Sequence, residues 1–239
     1  MEMLSKKELI QLVKVVFPPL PQDEKLAILV DVPRCKSDDN PSWAARRGLA
    51  HQWFRLLRGG LDELGLSDVL LFAYASVDSN NADLPDVGYA LSTLVPEVSS
   101  KLSGTKMAFA EVFASCQLFL APTQYSTTAP LKVNARKYGF RAATMPGFAP
   151  DMIPALRIDY DLVNERCESI KRRLDAAVGA DVLFRADDQD YKVYFDLRFR
   201  QGHASGGRFP APGTAGNLPS GESYIVPYEG EKGEPSQTQ

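Results

Sequence analysis

The chain has 239 residues, 44% of them hydrophobic and 24% charged, enough for one large domain or for one domain and part of another. Lys and Arg (27) nearly balance Asp and Glu (30), which excludes the basic excess of a nucleic-acid-binding surface. Cys35, Cys116 and Cys167 are odd in number and far apart in sequence. That argues against a disulfide framework and a cysteine zinc site, and for reduced thiols in a cytoplasmic protein.

The N-terminal stretch MEMLSKKELIQLVKVVF has an interrupted apolar run and no small-residue cleavage site, so it does not read as a signal peptide. No apolar run approaches the roughly 18 residues that span a membrane. We therefore expect a soluble protein with neither a membrane nor a nucleic-acid partner.

Ser5 and Glu8 have capping-box spacing ahead of Leu9, Leu12, Val13 and Val16, which predicts an amphipathic helix ending before Pro18-Pro19. LAILVDVP (26–33) is a short unbroken apolar run and predicts a strand buried on both faces. Asn40-Pro41 opens a helix with Trp43, Ala50, Trp53, Phe54 and Leu57 on one face. Arg46, Arg47, Arg55 and Arg58 lie mostly off that face, and Gly59-Gly60 ends it. DVLLFAYA (68–75), CQLFLAP (116–122) and FRAATMP (140–146) read as three further strands, with helices over MAFAEVFAS (107–115) and LKVNARKYG (131–139). Alternating strands and helices predict an α/β fold, a Rossmann- or flavodoxin-like parallel sheet over residues 1–155.

Beyond that the pattern changes. Asp159 stands at the head of a helix whose stripe is Tyr160, Val163, Cys167, Ile170, Leu174 and Ala177. DVLFRA and YKVYFDLRFR then flank the turn-like DDQD, and Tyr191, Val193, Phe195, Leu197 and Phe199 alternate as one face of a strand. A Gly/Pro/Ser-rich loop (201–221) leads to a last strand, SYIVPY. Residues 156–239 thus read as the start of an antiparallel α+β domain, exposing an unpaired edge and apolar surface.

Self-contained catalytic motifs are missing: there is no P-loop, no G-x-G-x-x-G after the first strand, no H-E-x-x-H and no G-x-S-x-G. His51 sits between Arg47 and Arg55 on a helix and reads as a surface histidine; His203, in the flexible loop, is a candidate ligand without a partner at fixed spacing. Thr123, Tyr125, Ser126, Thr127 and Thr128 follow a strand end and open a helix, where hydroxyls and N–H groups can hold a ligand or merely cap the turn. Glu222 stands at a loop–strand junction, where a rigid strand could aim a carboxylate at a metal or leave it solvated.

The segments LAILVDVP, APTQYSTTAPLKVNARKYGFRAATMPG, RIDYDLVNERCESIKRRL and GNLPSGESYIVP together resemble the aminopeptidase T family of metallo-aminopeptidases, in the family's order and over most of the chain. The resemblance implies a leucyl-aminopeptidase-like hydrolase, a metalloprotease that uses paired divalent metals (zinc, cobalt or manganese) on a peptide substrate. It implies a homodimer, and Glu222 of the N-L-P-x-G-E element as a metal ligand. The family's other ligands lie downstream of that element, and only Glu229, Glu231 and Glu234 follow here as acidic donors, in a polar tail. We therefore expect a catalytically incomplete front portion. Three alternatives stand beside this reading. Ring-cleaving dihydroxypyridine dioxygenases are similar to the same family and use one iron. The chain could be a non-catalytic interaction domain. It could also bind a phosphate-bearing ligand through Thr123–Thr128.

Overall fold

The computed structural model describes residues 3–239. The chain divides into two compact units, the first running to Tyr160 and including Gly207–Pro219, the second formed by Asp161–Gly206 and Ser220–Gln239. In chain order the elements are α1 (Lys6–Val16), β1 (Lys25–Val32), α2 (Pro41–Arg58), α3 (Leu61–Leu64), β2 (Asp68–Ala75), β3 (Val87–Leu91), β4 (Thr105–Ala108), α4 (Phe109–Ser115), β5 (Leu118–Ala121), α5 (Thr128–Tyr138) and β6 (Arg141–Thr144). They continue with α6 (Tyr160–Ala176), β7 (Gly179–Ala186), β8 (Gln189–Asp196), β9 (His203–Ser205), β10 (Ala215–Asn217) and β11 (Glu222–Tyr224).

The first unit is the α/β layer that the alternation of elements predicts. Its sheet has the order β10-β6-β5-β1-β2-β3-β4, and all strands run parallel except β3, which pairs antiparallel with both β2 and β4. β1 is central because almost every residue of KLAILVDV is apolar, so the strand can be covered on both faces. Leu26, Ile28, Val30 and Val32 pack on one side with α1 and α2; Ala27 and Leu29 pack on the other with Phe109, Phe113, Leu131 and Ala135 of α4 and α5. The period of two along the strand therefore feeds two cores.

Helix α1 begins where the capping box was expected. Ser5 Oγ accepts from the Glu8 N–H at 3.2 Å, and the Glu8 carboxylate accepts from the Ser5 N–H at 2.7 Å. The Ser5 backbone and hydroxyl bonds, helped by Arg157, hold the Glu8 carboxyl at about 2, well below its ordinary 4.5. A depressed native value means that this contribution is present above about 4.5 and is lost as pH falls toward about 2. The expected result is a thermal-stability difference between wild type and Glu8→Gln that is constant near neutrality and shrinks through that acid window. A difference that stays flat across it would show that the cap is not formed by the ionised group.

The first unit departs from the sequence reading in several places, among them the unpredicted strands β3 and β10. MAFAEVFAS is strand and then helix, because Thr105–Ala108 pairs with β3 at the sheet edge before α4 begins at Phe109. Arg46 and Arg47 are buried although they lie off the apolar stripe of α2. Arg46 donates to the Phe148 carbonyl at 2.8 Å, and Arg47 pairs with Asp39 through two bonds of 2.9 and 2.7 Å.

In the second unit β7 and β8 form a hairpin, with Asp187 and Asp188 both at positive φ (50° and 59°) as a two-residue loop requires. β8 ends at Asp196; Phe199 adopts φ 64° and leaves the strand. The acidic tail is not loose. Gln239 exchanges two backbone bonds with Tyr194 (2.9 and 3.0 Å), Arg198 pairs with Glu234, and Arg200 pairs with Glu231. Buried Asp196 accepts from Arg198 and from the Gln237 N–H, and the Arg198 guanidinium holds its carboxyl far below the usual carboxylate range. Among the described residues, no helix is long and apolar enough to cross a membrane.

Candidate functional site

Strand order reverses at β1. Helix α2 leads from β1 to β2 on one side, whereas β5, reached through β3, β4 and α4, lies on the other. Ligands of open parallel sheets bind beyond the carboxyl ends of the strands at such a reversal. Here that edge carries Asp31 from β1, the Thr123–Thr128 loop after β5, Thr144 at the end of β6 and Asn217 at the end of β10.

Asp31 organises the edge. Its side chain accepts from the Gln124 N–H at 2.8 Å, the Tyr125 N–H at 3.2 Å and Trp43 Nε1 at 3.2 Å. Arg46, two per cent exposed, reaches Gln124 Oε1 at 2.6 Å from the other side. Burial pushes the Asp31 carboxyl up, against the opposing pull of Gln124, Tyr125, Arg46 and Trp43. Tyr74 lies opposite Asp31 in the β1–β2 register; burial, with the Asp31 charge beside it, raises its phenol well above the ordinary value. A carboxylate inside an unbroken apolar strand is the signal that could have singled out Asp31, since an acid is rarely buried without fixed partners.

The hydroxyl-rich loop is mostly self-satisfied. Thr123 Oγ1 donates to the Tyr125 carbonyl at 2.6 Å, and Ser126 Oγ donates to Asn81 Oδ1 at 2.9 Å. The N–H groups that open α5 are used: Ser126 donates to Asn80, Thr128 to Ser126 Oγ and Ala129 to Asn81. Thr128, Thr144 and Asn217 join in a polar cluster at 2.8–2.9 Å. A phosphate here would have to displace these bonds, which removes the main attraction of a helix start for anions. Tyr125 and Ser126 remain half-buried at the edge, with the Tyr125 ring edge-on to Trp43 at 5.9 Å. Thr127 Oγ1 is buried and finds no partner among the described residues.

Glu222 and His203 meet in the second unit. β11 pairs antiparallel with β9, so Glu222 lies opposite Ser205 and Tyr224 opposite His203. Paired residues share a face, and diagonal neighbours such as Glu222 and His203 sit roughly 7 Å apart. The His203 ring stacks on Tyr224 at 5.0 Å. Ser223 Oγ donates to the Cys167 carbonyl at 2.8 Å and anchors the strand. Glu222 is exposed. One carboxylate and one imidazole suit iron or zinc, but an iron site of the facial kind needs a third protein donor. Asp175 is already held by Lys171 and the Gly202 N–H, which lower its carboxyl below the ordinary value. Glu231 and Glu234 are held by Arg200 and Arg198. Among the described residues, no three His, Cys, Asp or Glu side chains converge as a metal cluster, so this chain by itself does not fit a complete metal centre.

The solved structure of 2,5-dihydroxypyridine dioxygenase from Pseudomonas putida KT2440 matches this chain with a TM-score of 0.55 at 15% identity. The match covers 94% of this chain and 57% of the dioxygenase, so the chain spans little more than half the length of that protein. No family model matches the sequence, and no curated protein matches it.

These findings overturn the aminopeptidase reading. The hydrolase, metalloprotease and leucyl-aminopeptidase-like assignments have no support, and the solved structure reported above, which is similar in fold, is a dioxygenase. The physical reason lies in what the quoted motifs encode. Buried strand runs, the hydrogen-bonded turn that opens α5 and the turn through the cis Leu218–Pro219 bond specify backbone shape. A shape shared by two chemistries does not choose between them.

Proposed function

We propose that the chain acts in an oxygen-dependent enzyme that opens a dihydroxylated heteroaromatic ring, with iron(II) as its metal. The observation that carries this reading is the backbone correspondence with the dihydroxypyridine dioxygenase over nearly the whole chain. Glu222 and His203 would supply two of the protein donors, from diagonal positions of the β9–β11 ribbon. In the first unit, Thr123 holds its loop in shape through its bond to the Tyr125 carbonyl. Zinc, cobalt and manganese, which the aminopeptidase resemblance implied, have no place in this reading.

Anaerobic titration with iron(II) and then 2,5-dihydroxypyridine tests it, followed by admission of oxygen at an electrode. Because the described residues offer only two of the donors a facial site needs, the expected result is iron(II) binding weaker than that of a complete site, with dihydroxypyridine binding that depends on the iron. Glu222→Gln should weaken iron binding by about 10-fold or more. A leucyl peptide should release no amino acid. A chain that binds neither iron(II) nor the dihydroxypyridine would sink the proposal.

A further inference from the structure

The second unit is poorly covered. Ten of the fifteen large hydrophobic side chains exposed among the described residues belong to it, against Cys167, Leu197 and Tyr228 as its buried apolar residues. The exposure is concentrated on the β7–β8 hairpin. Val182, Phe184 and Tyr191 share one face, with Phe184 stacked on Tyr191 at 5.3 Å, and Leu183 projects from the other face at 73% exposure. A two-stranded hairpin is marginal by itself.

Its two edges differ. On β8, Tyr194 turns its N–H and C=O away from β7 to bond Gln239 at the tail. Asp181, opposite Tyr194, must then point its own N–H and C=O away from β8, and by alternation so must Leu183 and Arg185. Among the described residues, therefore, no strand pairs with the outer edge of β7, whereas β8 is covered at Tyr194.

That edge is self-complementary. An antiparallel copy of β7 paired about Leu183 sets Asp181 opposite Arg185 of the second copy, and Arg185 opposite its Asp181. Each of these residues, and Leu183 itself, carries the outward N–H and C=O that such a pair exchanges. On the other face Val182 meets Phe184 of the copy, and Ala180 meets Ala186. Lys192 already pairs with Asp181 at 3.1 Å and Asp190 with Arg185 at 2.7 Å, so the joined sheet would carry charges of alternating sign. Opposite charges placed by a two-fold axis are what an isologous contact needs.

We propose that two copies of this chain join edge to edge through β7, forming a continuous four-stranded sheet with Leu183 on the two-fold axis. This does not rest on the dioxygenase reading. The test is solution mass by light scattering and sedimentation over a concentration series. Wild type is expected to reach twice 26.3 kDa. Asp181→Arg alone and Arg185→Asp alone should each weaken association by roughly 10–100-fold, because each sets like charges opposite one another twice. Mixing the two variants should restore a dimer, since each then meets its opposite. Leu183→Pro removes only an outward N–H, a change an edge strand tolerates, and should abolish the dimer while leaving the circular dichroism spectrum intact. A single-chain mass at every concentration would overturn the proposal, and would mean that this edge is covered by a different polypeptide or left open. A dimer indifferent to both charge variants and to Leu183→Pro would overturn it equally, by placing the interface elsewhere.

Discussion

Replacing Arg141 with alanine is expected to lower the unfolding free energy by about 3–5 kcal/mol, the cost of leaving one partner of a buried ion pair alone. Arg141 lies at the start of β6 and is one per cent exposed. Its guanidinium pairs with Asp23, donates to the Pro18 carbonyl at 2.8 Å and the Phe209 carbonyl at 3.1 Å, and lies over the Phe17 ring at 5.7 Å. One side chain therefore ties α1's exit, the β10-bearing segment and β6 into the first unit. Alanine removes all of these and strands the Asp23 carboxylate, whose side chain is eight per cent exposed. The double variant Arg141→Met with Asp23→Asn should recover a substantial part of the loss, because no unpaired charge remains and the aliphatic volume is kept. Urea unfolding midpoints at an unchanged slope measure both. A loss under about 1 kcal/mol for Arg141→Ala would mean that the pair behaves like a solvated surface bridge.

Asp31→Ala should be comparably damaging, costing about 3–5 kcal/mol. It removes the acceptor for two backbone N–H groups and an indole N–H, and it deprives Arg46 of its nearby negative charge. Unsatisfied buried donors cost roughly 1–3 kcal/mol each, which sets the scale. Asp31→Asn keeps an acceptor oxygen and should cost less than half as much. The local consequence separates this from a general loss of packing. Amide exchange at Gln124 and Tyr125 should accelerate in Asp31→Asn, while that of Ala27 and Leu29 in the central strand stays slow. Unchanged protection at Gln124 and Tyr125 would show that Asp31 does not hold the loop.

The two cases illustrate what could be read without coordinates. Strands β1, β2 and β5 were legible because each is an apolar run that a doubly covered strand explains, and β6 because it follows the helix stop at Gly139. The cap of α1 was legible because Ser5 and Glu8 are three residues apart, and capping is local. β10 was not. AGN (215–217) is short, lacks apolar character and lies in a Gly/Pro-rich loop, and it becomes a strand only because β6 offers it an edge. β3 escaped for a related reason: VGYAL needs Gly88 where Phe72 approaches the backbone, a requirement set by β2 rather than by its own sequence. The burial of Arg46 depends on the Phe148 carbonyl, 102 residues away.

The candidate site was legible to a similar depth. Thr123–Thr128 was marked as the segment past a strand end, where β5 leads into it, and Glu222 as a loop–strand junction, which is where β11 begins. The diagonal pairing of Glu222 with His203 follows from the β9–β11 register, which joins residues separated by a loop. The engagement of Glu231 and Glu234 by arginines likewise comes from the folded tail.

By itself, then, the sequence determined the class of the first unit, the identity of its central strands and the absence of an independent catalytic motif, because hydrophobic period, capping and motif spacing act over a few residues. Tertiary structure decided which charges are buried, which short segments become strands, and how the acidic tail and the β7 edge are disposed. Those features depend on hydrogen-bond partners and strand register brought together across long stretches of chain, and neither is written in local spacing.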